Sequence, residues 1–92
     1  MSFWKRLFGG GSGVQATAFD PVEHEGFTIA PSPIVDGGQY RLAATISKEF
    51  GGERREHRMI RADLFPSADQ AAEFAVVKAR QVIREQGDRL FD

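Results

Sequence analysis

Any catalytic chemistry in this chain would begin at its acid–imidazole neighbours. His24-Glu25 and Glu56-His57 carry the residue types of general acid–base pairs. Adjacent residues on a strand point to opposite faces, so neither pair shares a site if its segment is extended. His24-Glu25 also opens like the zinc motif H-E-x-x-H, but position 28, where the second histidine belongs, is Thr28. Two histidines by themselves make no convincing zinc site, although carboxylates could complete one. The lack of cysteine also removes disulfides, iron–sulfur clusters and thiolate nucleophiles, and it weakly favours a reducing compartment. No serine stands in G-x-S-x-G. The run Gly9-Gly10-Gly11-Ser12-Gly13 is not a nucleotide loop, because the third glycine of G-x-G-x-x-G would fall on Val14. We therefore expect no enzyme, no metal ligand, no cofactor and no small-molecule substrate.

Charge offers more. The chain of 92 residues has a net charge of −1, which argues against wholesale coating of nucleic acid. That total is a cancellation. Asp20, Glu23, Glu25 and Asp36 make the entry acidic, whereas Arg54, Arg55, Arg58 and Arg61 against Glu56 leave +3 within eight residues. If Ile60 and Ala62 face the core, then Arg55, His57, Met59 and Arg61 lie on the opposite face with Arg41, Thr45 and Ser47. Arg41, Arg55, His57 and Arg61 are thus candidates to hold a phosphate backbone or a protein partner. The plainer reading stands beside it: such arginines keep an exposed strand soluble. Aromatic platforms of the kind that single-strand binders stack bases on are missing from that face. Met59, Ala43 and Ala30 make it mildly apolar, which suits a homodimer.

The elements that position these residues follow from periodicity. Phe27, Ile29 and Pro31 alternate with Thr28 and Ala30, predicting a first strand that Pro31 and Pro33 bring to an end. A short extra strand from Val22 to His24 can close on it through Glu25-Gly26. Asp36-Gly37-Gly38 predicts a hairpin turn. A second strand runs Gln39 to Ser47, with Tyr40, Leu42, Ala44 and Ile46 on one face. Lys48 to Gly52 turns the chain, and a third strand runs Arg54 to Ala62. Ser67 caps a helix with Gln70 three residues on, and Gly87 stops it after Gln86. Ala68, Ala71, Ala72, Ala75, Ala79, Val82, Ile83 and Gln86 form one stripe, leaving Phe74 and Val77 outside it. The expected fold is α+β, a three- or four-stranded antiparallel sheet with one C-terminal helix packed on one face.

The chain divides into an arm, residues 1–19, and a single domain, residues 20–92. No apolar run approaches the ~20 residues needed to span a bilayer. Phe3, Trp4, Leu7 and Phe8 flank Lys5 and Arg6 in an amphipathic pattern, a candidate interfacial segment for weak contact with a membrane surface or a partner. The interrupted apolar run does not read as a secretory signal, so the expected location is cytoplasmic.

The run Gly26-Phe27-Thr28-Ile29-Ala30-Pro31-Ser32-Pro33-Ile34, followed by Gly37-Gly38-Gln39-Tyr40-Arg41-Leu42-Ala43, resembles the small HlyU family of bacterial proteins. The segments His57 to Asp63, Glu73-Phe74-Ala75 and Lys78 to Ile83 are similar too, as is the opening Ser2 to Gly9. The resemblance implies a cytoplasmic transcriptional activator, with DNA or a regulatory protein as partner. It brings no DNA-reading or catalytic residues with it.

Overall fold

Three two-residue turns organise the sheet in a computed structural model that describes residues 19–92. Glu25-Gly26 joins β1 (Val22–His24) to β2 (Phe27–Pro31), and Gly37-Gly38 joins β3 (Ile34–Asp36) to β4 (Gln39–Phe50). Gly51-Gly52 joins β4 to β5 (Glu53–Phe65). Both residues of every turn have positive φ, the signature of type I′ turns, whose twist matches that of the strands they link. Glycine adopts this conformation without strain at five of the six positions; Glu25, at φ 52°, is the exception.

All pairings are antiparallel, and β4 is their hub. β5 runs along one edge of β4, β2 and β3 lie end to end along the other, and β1 flanks β2. Thr28 opposite Ser47 and Ile34 opposite Arg41 belong to one unbroken register, so β2 and β3 are a single row interrupted at Ser32-Pro33. Pro33 has no N–H to give the ladder, and the Ser32 amide bridges the gap by donating to the Ala43 carbonyl at 2.9 Å. The result is the expected α+β fold, with five strands in four rows. The strand that periodicity did not single out is β3, three residues pressed between a proline and a turn.

Helix α1 (Ala68–Gln86) covers one face of the sheet. The Ser67 hydroxyl accepts from the Gln70 amide at 3.1 Å and starts it; Gly87, at φ 56°, donates its N–H to the Ile83 carbonyl and ends it. Ala71, Ala72, Ala75, Ala79 and Ile83 are its buried stripe. Four alanines let the helix lie close over Ile29, Leu42 and Ile46, which are fully buried. A 3₁₀ helix, Gly87–Phe91, then folds back to add Leu90 to the core. Its Phe91 ring stacks on Phe27 at 6.1 Å and meets Phe50 edge-on at 5.6 Å. Phe74 and Val77 are exposed, and Phe74 stacks on Phe65 of β5 at 5.0 Å.

One assignment is corrected. Periodicity places Ile60 and Ala62 of β5 on the core face; the structure places Met59 there, 4% exposed, opposite Ala44. Ile60 is 52% exposed, and Ala62 is exposed with it. The cause is the turn. With only Gly51-Gly52 between the strands, Phe50 must face Glu53, and the odd-numbered residues of β5 then fall on the helix side.

Candidate protein-contact face

The face of the sheet away from α1 is built from alternate residues of every row. β2 contributes Thr28 and Ala30, and β4 contributes Arg41, Ala43, Thr45 and Ser47. β5 contributes Arg54, Glu56, Arg58, Ile60 and Leu64, the partners of those β4 positions and their continuation. Here Ser47 is almost fully buried, because Arg54 reaches over it and donates to its hydroxyl at 3.1 Å. The same guanidinium is paired with Glu56 at 3.3 Å. Arg41 is hydrogen-bonded to the Asp36 carboxylate at the end of β3. Thr28 donates to Glu23 at 3.0 Å.

The four basic candidates do not come together. Arg41 lies on the open face, tied to Asp36. Arg55 and His57 are on the helix side of the sheet: Arg55 sits 5.7 Å from the Phe50 ring, and His57 is half-buried opposite Ile46. Arg61 belongs to an irregularity, because Leu42 alone on β4 faces Arg61, Ala62 and Asp63 on β5. The proposed common face of Arg41, Arg55, His57 and Arg61 is therefore withdrawn. Phe3, Trp4, Leu7 and Phe8 lie outside the described residues.

Sequence reasoning missed Ile60 and Leu64. They are 52% and 41% exposed, four residues apart on the same side of β5, with Arg58 beside them. The signal was present in the two-glycine turn, since counting outward from Phe50 opposite Glu53 puts both on the open face. Near the other end of the sheet, Glu23, Gly26, Thr28, Ser47, Lys48, Glu49 and Arg54 line a shallow concavity of about 300 Å³. Two acids and two cations balance there. Among the described residues, no three His, Asp or Glu side chains converge on a point where a metal could sit.

Residues 2–91 match the family described as transcriptional activator HlyU. The chain belongs to the HlyU family. Comparison with curated proteins and with solved structures produces no match. The HlyU family is described by a regulatory role and not by a reaction. Helix-turn-helix readers place the second helix of a pair in the major groove. Among the described residues of this HlyU-family chain there is one α-helix, and its inner face is spent on the sheet.

Proposed function

We propose that this HlyU-family protein regulates transcription by binding another protein through its open sheet face. One observation carries the reading: on that face Arg41 and Arg54 are neutralised by Asp36 and Glu56, which leaves Arg58 as its one cation outside an ion pair among the described residues, while Ile60 and Leu64 stay exposed. Protein–DNA interfaces are strongly positive, because affinity comes largely from phosphate neutralisation. Paired arginines beside bare aliphatic side chains suit a protein partner instead. The chain's net charge of −1 supports the same choice. No described helix is long and apolar enough to cross a membrane. A regulator of transcription in bacteria works beside the chromosome, and we place this one in the cytoplasm.

The test is a titration of the full chain onto a mixed-sequence DNA duplex, followed by fluorescence anisotropy from low to moderate salt. The reading predicts no measurable binding even at low salt, where the phosphate contribution is largest. Tight binding that falls steeply with salt and is lost in Arg58→Ala/Arg61→Ala overturns it and restores DNA as the partner.

A further inference from the structure

β5 is the outer row of the sheet, and among the described residues no strand pairs with its far edge. It is thirteen residues long, and all but His57, Met59 and Phe65 are exposed. Long free edges are templates for pairing with another chain, and proteins usually shorten, bend or cover them. Here the irregularity at Arg61 to Asp63 interrupts the strand late, leaving Glu53 to Ile60 in regular register with β4.

The charges along that regular stretch select a partner. We propose that β5 pairs antiparallel with β5 of a second copy, about a two-fold axis at His57. In that register Glu56 stands opposite Arg58 of the other copy within the regular stretch, and Glu53 falls opposite Arg61, where the irregularity begins. Symmetry makes each pair occur twice. Arg54 faces Ile60, Arg55 faces Met59 and His57 meets its own copy, so among Asp, Glu, Lys and Arg no like charges are opposed. Moving the axis one residue toward the turn opposes Glu56 to Glu56 and Arg54 to Arg58. Moving it one residue the other way opposes Arg58 to Arg58 inside the regular stretch, with Glu53 to Asp63 and Arg55 to Arg61 beyond it. Directly opposed like charges destabilise a strand pair, and opposite charges stabilise it. Of these three registers, the one about His57 alone opposes opposite charges inside the regular stretch without opposing like ones.

The register also preserves the faces. Even-numbered residues of β5 meet even-numbered residues of the other copy, so the two sheets continue as one, with both open faces on the same side. This inference does not rest on the protein-contact reading. A dimer built this way presents two copies of the Ile60–Leu64 surface side by side; Ile60 lies opposite Arg54, so Ile60→Asp removes the apolar contact without opposing like charges.

Sedimentation equilibrium of the full chain tests the proposal, with circular dichroism confirming that each variant folds. The wild type is expected to show a concentration-dependent monomer–dimer equilibrium. Arg58→Glu sets a carboxylate against Glu56 at both symmetry-related positions and should weaken dimerisation on the order of thirtyfold. Glu56→Arg/Arg58→Glu exchanges the charges and should return it to near the wild-type value. Amide hydrogen exchange should show protection between Glu53 and Arg61 that rises with protein concentration. A monomer at millimolar concentration overturns the proposal. So does a dimer indifferent to Arg58→Glu, or a double variant as weak as the single one.

Discussion

Met59 and Ile60 are adjacent, both apolar, and differ entirely in what they touch, so truncating each in turn probes the register of β5. Met59 is 4% exposed and belongs to the cluster that includes Ala44, Ile46, Ala75 and Ile83. Met59→Ala removes three heavy atoms from a buried site in that cluster. The expected cost is about 3 kcal/mol, from lost transfer energy plus the residual cavity. A domain of this size loses about 5 °C of Tm per kcal/mol, so the midpoint should fall by about 15 °C. Ile60 keeps half its surface in water, and Ile60→Ala should cost no more than about 1 kcal/mol. Urea unfolding at low protein concentration measures both, with the slope m unchanged to confirm a native-state effect. If Ile60→Ala is the more damaging substitution, β5 is out of register by one residue and the composition assigned to both faces is wrong.

Three further outcomes follow from the fold. Ser67→Ala removes the acceptor for the Gln70 amide and should cost about 1 kcal/mol in urea unfolding, with Ser67→Asp restoring most of it. Gly51→Val forces a β-branched residue to φ 58° at the turn that sets the β4–β5 register; a loss of at least about 1 kcal/mol is expected in the same assay. Phe91→Ala takes away the ring packed on Phe27 and Phe50, and should cost about 2 kcal/mol while increasing hydrogen exchange at Leu90.

Most of the fold was legible because local signals agreed with one another. Ser67, Gln70 and Gly87 bounded the helix, and the alanine stripe named the face it buries. Phe27 with Ile29, and Leu42 with Ile46, marked the core rows by simple alternation. β3 was not legible, because three residues between Pro33 and Gly37 are too few to show a period. The candidate face failed for a sharper reason. Met59 and Ile60 satisfy alternation equally well in either phase, so only the turn decides between them, and extending the turn back to Lys48 discards its two-residue count. With Gly51-Gly52 taken alone, Met59 falls opposite Ala44, and Arg55 and His57 leave the open face with it. Arg61 could not be placed by counting, since the two additional residues of β5 opposite Leu42 leave no mark in the pattern.

The role assigned to the open face is tested most directly by the transcript profile of native cells whose own copy is deleted and replaced by variants of the full chain. Ile60→Asp/Leu64→Asp places two carboxylates on the exposed apolar pair without touching the buried cluster, and Arg55→Ala removes a cation from the helix side. The account predicts that the first variant reproduces the profile of cells lacking the protein, while Arg55→Ala leaves it at wild type. A wild-type profile from Ile60→Asp/Leu64→Asp, with both variants folded and equally abundant, would contradict it.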